Sequence, residues 1–244
     1  MLRSAKPRAA VLFFLAVLAC AACSSSPQSG QISETPSFYR RLDPRFEGIY
    51  AVSGAGRPFM GTAWSVGGGL FVTACHVVAG ESDLAVGGCK ADLVAFDAIG
   101  DLALLHCPSL SGVAPAARRF DIEPILGQPV TATGFVGGIG PPGTATPVCT
   151  LGTVSGFLGA AVSKNDVPEA FLYDGGVHPG MSGSPVRTSD GSVIGIVSRA
   201  IPWSFAPNPT MCQVAPITNL RGMISSALAR GLVPVPIPQP AEEE

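Results

Sequence analysis

The chain has 244 residues, 47% hydrophobic and 13% charged, with 15 Lys+Arg against 17 Asp+Glu and a formal net charge of -2. The ordinary apolar share excludes a disordered chain, and a near-balanced charge without a basic run past the N-terminus excludes a nucleic-acid partner held by phosphate contacts. The 30 glycines and 23 prolines are about twice average usage and favour tight turns over long helices, so an all-β fold is expected.

The N-terminus reads as an address. Arg3, Lys6 and Arg8 precede an apolar stretch of small residues that ends at Ala22. It is shorter than the ~20 residues a membrane span needs and has the shape of a secretory signal. The run Val17-Leu18-Ala19-Cys20-Ala21-Ala22-Cys23 resembles the bacterial lipobox, in which a cysteine thiol is acylated before cleavage. Cys20 fits better than Cys23, because Val17 stands where Leu is usual; an ordinary cleaved signal with incidental cysteines is the alternative. On this reading residues 1–19 are the signal peptide and 20–45 a lipidated tether rich in Ser, Pro, Gln and Gly. The rest is exported and held to the cell envelope by its lipid. Ala21, rather than an aspartate, follows the acylated cysteine and points to an outer membrane and its periplasmic face.

Short apolar runs between turn signals come next. Residues 61–66 and 70–73 flank Gly67-Gly68-Gly69 as a hairpin. Residues 84–86, 90–96, 102–106, 130–135, 148–155 and 171–173 read as strands. Residues 185–188 and 192–198 flank Ser189-Asp190-Gly191 as a second hairpin, and 213–216 is a last strand. Helical periodicity is convincing over 218–230, with Leu220, Met223, Ile224, Ala227 and Leu228 on one face. A Pro-rich acidic tail fills 232–244.

Three places in this β pattern carry chemistry. Thr73-Ala74-Cys75-His76 ends a strand, Asp101 opens the apolar run Leu102-Ala103-Leu104-Leu105, and Ser182 sits in Gly180-Met181-Ser182-Gly183-Ser184-Pro185 before a strand. A serine hydroxyl becomes a nucleophile when imidazole takes its proton, and a carboxylate on the other ring nitrogen fixes the tautomer. Taken in the order His, Asp, Ser, these motifs resemble the chymotrypsin-like, trypsin-fold serine peptidases over roughly residues 46–230. The resemblance implies two six-stranded antiparallel β-barrels, over 46–118 and 119–217, followed by a C-terminal helix at 218–231. It further implies a catalytic triad of His76, Asp101 and Ser182, with the N–H groups of Gly180 and Ser182 as the oxyanion hole. The expected reaction is endopeptide hydrolysis through an acyl-enzyme, on a protein or peptide substrate and without cofactor or metal. The competing readings are a non-cleaving binding or scaffold protein that keeps the barrels, and an esterase. The sequence stops soon after the helix, and the expected type is the bacterial exported one without a PDZ domain.

Other motifs fit less well. Gly180 to Ser184 is not the G-x-S-x-G elbow of α/β-hydrolases, whose residue order is also reversed. The Gly138-Ile139-Gly140-Pro141-Pro142-Gly143 run matches a dinucleotide fingerprint on paper, but its prolines and the lack of a following helix favour a surface loop. Asp97 competes with Asp101 but does not directly precede the apolar strand. His106 is expected to face outward on its strand, whereas His178 is a candidate for the substrate cleft. By resemblance, Gly176, Val177 and His178 line one side of the specificity pocket, and Ser198, Arg199 and Ala200 line the other.

Seven cysteines suit an exported chain that can oxidise its thiols. If 90–96 and 102–106 form a hairpin turning near Ala98 and Ile99, Cys89 faces Cys107 within bridging range. Cys149 and Cys212 are then the second pair by elimination, leaving Cys75 as a buried thiol.

Overall fold

The computed structural model describes residues 46–120, 122–138, 144–159, 167–201 and 211–239. The expected signal peptide, lipidation cysteine and tether lie outside the described residues, as does the end of the tail.

The first half is an antiparallel sheet. Strands β1 (Ile49–Gly54), β2 (Arg57–Gly67) and β3 (Leu70–Ala74) form a meander, and β3 runs straight into a single helical turn, α1 (Cys75–Val78). Then come β4 (Ala85–Val86), β5 (Cys89–Lys90), β6 (Asp92–Asp97) and β7 (Leu102–His106). The seven strands lie in the order β5-β4-β1-β2-β3-β7-β6, an open half-barrel rather than a closed six-stranded one. Its two edges, β5 and β6, are separated in sequence by Ala91 alone. One residue spans under 4 Å, so the sheet must curl until its edges nearly meet. Strands of two residues leave too few backbone groups to close the ladder.

The second half closes fully. Strands β8 (Pro129–Gly137), β9 (Ala145–Phe157), β10 (Phe171–Tyr173), β11 (Pro185–Arg187), β12 (Val193–Ala200) and β13 (Cys212–Pro216) form a six-stranded barrel in the order β10-β13-β12-β11-β8-β9. The centre of β2, Gly61 to Ser65, is buried residue after residue instead of alternating. One face of that stretch meets the first core and the other meets the second half, which is how the two halves become one body.

Helix α2 (Leu220–Ala229) buries Leu220 and Ala227 against the first half. These residues are seven apart and define the packed seam. Leu228, expected on that face, points outward at 54% exposure, because its neighbour Ala227 occupies the contact line. The Pro-rich segment after α2 is not loose. Val235 N–H donates to the Leu93 carbonyl at 2.8 Å, and Gly80 N–H donates to the Pro238 carbonyl at 2.8 Å. Leu232, Val235 and Ile237 pack on the first core, so the tail straps β6 to the turn behind α1.

Cys75, Cys89, Cys107, Cys149 and Cys212 are free thiols, so neither expected disulfide is formed. The hairpin turns between Ile99 and Gly100, later than expected, so its register sets Asp92 opposite His106, and Cys89 lies beyond the hairpin on β5. Cys107 Sγ instead meets the Cys89 carbonyl at 3.7 Å. Cys149 lies on β9 and Cys212 on β13, with β10 between those strands.

Candidate active site

His76 is carried by α1, immediately after β3. The β3–β7 register pairs Thr73 with Ala103 and Ala74 with Leu102, which brings Asp101 beside the start of α1. Cys75 N–H donates to the Asp101 carbonyl at 3.1 Å, and His76 N–H donates to Asp101 Oδ1 at 3.0 Å. The ring Nδ1 lies 2.9 Å from Oδ2 and 3.1 Å from Oδ1. Asp101 adopts φ +51°, a left-handed conformation that a short polar side chain tolerates better than most. The backbone turn and the side chain together fix the imidazole, whose other edge faces solvent.

The Ser198 hydroxyl reaches across from β12 and donates to Asp101 Oδ2. Asp101 is thus 8% exposed but fully engaged. Burial pushes its pKa up, yet the hydrogen bond and charge of His76, the Ser198 hydroxyl and the His76 backbone N–H outweigh burial and hold it below the ordinary 3.8. A folded-state pKa below the unfolded one means that the unfolded chain takes up the proton first as pH falls. The stability contributed by Asp101 is therefore complete above the ordinary aspartate pKa and is lost as pH falls through 3.8 towards the lower folded value. Urea unfolding at stepped pH is expected to give a wild-type stability that falls through this acid window more steeply than that of Asp101→Asn; parallel curves would contradict the assignment.

Asp97 has another task. Its Oδ1 accepts from the N–H groups of Ile99 and Gly100, and its Oδ2 accepts from Asn219 Nδ2. It caps the turn before Asp101 and ties that turn to the segment leading into α2. His106 ends β7, half-buried, between Leu70 and Asp92. The Cys75 thiol is pushed up to about 12, by burial first and then by the charges of Asp101 and Asp97. It stays a thiol at neutral pH and does not compete as a nucleophile.

Ser182 lies in the loop before β11. Met181 N–H donates to the His178 carbonyl at 3.0 Å, Gly183 N–H to the Val197 carbonyl at 2.8 Å and Ser184 N–H to the Met181 carbonyl at 2.9 Å. Among the described residues, the N–H groups of Gly180 and Ser182 have no protein acceptor. Two glycines make this loop possible. Gly180 has φ +101° and a Cβ there would lie 2.3 Å from the Phe59 ring, while Gly183 has φ +85° and a Cβ there would lie 2.1 Å from the Thr62 carbonyl. The Ser182 hydroxyl donates to the Ser198 carbonyl at 3.4 Å. Ser182, Ser198, Asp101 and His76 thus form one polar chain between the halves. Sequence reasoning placed Ser198 only on the substrate strand; its bond to Asp101 comes from tertiary packing and leaves no local signal.

The remaining expected site residues surround this chain. Gly176 and Val177 are half-buried and His178 is exposed. Ser198 is buried, whereas Arg199 and Ala200 are exposed at the end of β12. That end pairs with β13 on one side, and the β11 ladder stops at Ile196 on the other.

A family model for the trypsin-like peptidase domain matches residues 60–196, more than half of the chain. The chain belongs to that family. The matched region of this peptidase domain contains His76, Asp101 and Ser182. It is 28% identical to Protease Do-like 1, chloroplastic, from Arabidopsis thaliana over 69% of this chain and 39% of that protein. It is 30% identical to the uncharacterized protein y4bJ of Sinorhizobium fredii over 72% of this chain and 28% of that protein. The chain therefore spans well under half the length of these relatives. The fold is similar to that of the active form of the Rv3671c protease from M. tuberculosis, with a TM-score of 0.62 at 19% identity, covering 86% of this chain and 93% of that one. It is also similar to a serine endoprotease from Yersinia pestis, with a TM-score of 0.60 at 19% identity, covering 81% and 69%.

Proposed function

We propose that the protein is a serine endopeptidase in which Ser182 is the nucleophile, His76 the general base and Asp101 the residue that orients His76. The observation that carries this reading is the polar chain from Ser182 through Ser198 and Asp101 to His76, beside two N–H groups with no acceptor among the described residues. Asp101 accepts a hydrogen bond from Nδ1–H, leaving Nε2 free to take the Ser182 proton as Oγ attacks the substrate carbonyl. The N–H groups of Gly180 and Ser182 then receive the oxyanion, a role in which one donor is typically worth ~3 kcal/mol. His76 returns the proton to the leaving amine, and water repeats the sequence on the acyl-enzyme. The chemistry is complete with these side chains. Hydrolysis of an unfolded protein substrate by the purified protein, blocked by a sulfonyl fluoride, tests the reading. Binding of the same substrate without cleavage supports the scaffold alternative instead.

The open edge of residues 198–200 suits pairing with an extended substrate backbone. Among the described residues, a Cβ added to Gly176 would have only His178 Nε2 near it, at 4.0 Å, which leaves room at the pocket floor and brings no carboxylate to it. Ala200 narrows the mouth by a methyl group. Cleavage is expected after small or medium apolar residues such as Ala, Val or Leu, with a soft preference, since one methylene discriminates by ~10- to 200-fold. A peptide-library profile dominated by Arg, Lys or Glu would overturn this.

We further propose that the chain is exported and anchored through an acylated Cys20, with residues 20–45 as its tether. Metabolic labelling with a palmitate analogue is expected to mark the wild type and to be lost in Cys20→Ser. Label that survives loss of both Cys20 and Cys23 would refute the anchor.

A further inference from the structure

Thr62, a residue of the first half, grips the nucleophile loop of the second at two points, once through its backbone and once through its side chain. It lies in the fully buried centre of β2. Its N–H donates to the Ser182 carbonyl at 2.8 Å, and its hydroxyl donates to the Gly180 carbonyl at 2.9 Å. The same hydroxyl accepts the N–H of Phe135 in β8 at 2.9 Å. Its carbonyl accepts the Thr73 hydroxyl at 2.8 Å, three residues before His76. Every polar atom of Thr62 is used, and a hydroxyl with one donor and one accepted bond is well matched to its two partners.

The consequence falls on Gly180. With φ +101° and no Cβ, it is the softest joint of the loop, free to rotate unless its neighbours stop it. Rotation there would turn the loop's N–H groups away from a common point. The Gly137 N–H holds the Pro179 carbonyl at 3.3 Å, which sets the peptide in front of Gly180, and Thr62 sets the one behind it. With the Gly180 and Ser182 carbonyls drawn to Thr62 and the Met181 and Gly183 N–H groups bonded elsewhere, the N–H groups of Gly180 and Ser182 are left as the loop's available donors.

We infer that Thr62 is a positioning residue for the oxyanion hole, coupling the half that carries His76 to the donors around Ser182. The inference rests on the peptidase reading above and deepens it. Thr62 touches no substrate; it acts through Gly180.

The test compares Thr62→Val, which keeps shape and removes the hydroxyl, with Thr62→Ser, which keeps the hydroxyl. Each is measured for kcat, KM and inhibition by a peptidyl trifluoromethyl ketone, whose adduct with the serine carries an oxyanion. Thr62→Val is expected to lower kcat about 10- to 100-fold, short of the 10²–10³ lost with an oxyanion donor itself. Ketone affinity should fall by a similar factor at nearly constant KM, and Thr62→Ser should restore both. Should Thr62→Val fail to fold, Thr62→Ala removes the hydroxyl without placing a methyl group against the Gly180 carbonyl, and the same losses are expected. An active wild type with undiminished kcat in the hydroxyl-free variants would overturn the inference alone, as would a kcat loss without loss of ketone affinity. A wild type that neither cleaves peptides nor forms the ketone adduct would strike the peptidase reading, and this inference with it.

Discussion

Ser182→Ala is expected to lower kcat by on the order of 10⁶-fold, the size of effect seen when the nucleophile of a serine triad is removed. Fold stability should barely change. Ser182 is half-buried, and its hydroxyl makes one long bond, 3.4 Å to the Ser198 carbonyl, so truncation leaves no cavity and no stranded charge. The loop keeps its shape because it is held by backbone bonds at Met181, Gly183 and Ser184, together with the grip of Thr62. Steady-state hydrolysis and thermal melting of the same preparation check both halves of the expectation. A loss of activity accompanied by a large fall in Tm would point to a structural rather than a chemical role.

Asp101→Asn is the second large effect. The carboxylate faces the ring Nδ1 with both oxygens and also receives the His76 backbone N–H and the Ser198 hydroxyl. An amide of the same shape would offer an N–H where a lone pair is needed, and the ring would answer by placing its proton on Nε2. That tautomer cannot accept the Ser182 proton. A fall of about 10⁴-fold in kcat is expected at neutral pH, with KM nearly unchanged. Asp97→Asn serves as the comparison: it should leave kcat within a few fold, because Asp97 holds the turn before Asp101 and does not reach His76. Equal losses in the two variants would contradict the division of labour between these aspartates.

The motifs around His76, Asp101 and Ser182 were legible because their chemistry is local. A strand end, a charged residue ahead of an apolar run and a serine between glycines are all visible within six residues. The barrel of the second half was legible for a similar reason, since its long strands β8, β9 and β12 stand between turn signals. Closure of the first half was not, because it depends on β4 and β5, which are two residues each and gain their meaning only from β1 beside them. The cysteine pairing failed on the place of the turn, which centres between Ile99 and Gly100 and is announced by no periodicity. The tail read as a simple proline-rich end, yet polyproline segments leave their carbonyls free, and Gly80 uses the one at Pro238. Thr62 and the hydroxyl of Ser198 were invisible for the deepest reason. Each acts on a residue about a hundred positions away, and neither stands in a pattern that would mark it.

Every step of the proposed chemistry depends on Ser182 being an activated nucleophile. Incubating the purified protein with a fluorophosphonate probe and locating the adduct by peptide mass spectrometry measures that property directly. The account predicts near-stoichiometric labelling on the peptide carrying Ser182, abolished in Ser182→Ala and strongly slowed in Asp101→Asn. No labelling of the folded wild type, or equal labelling of wild type and Ser182→Ala, would contradict it.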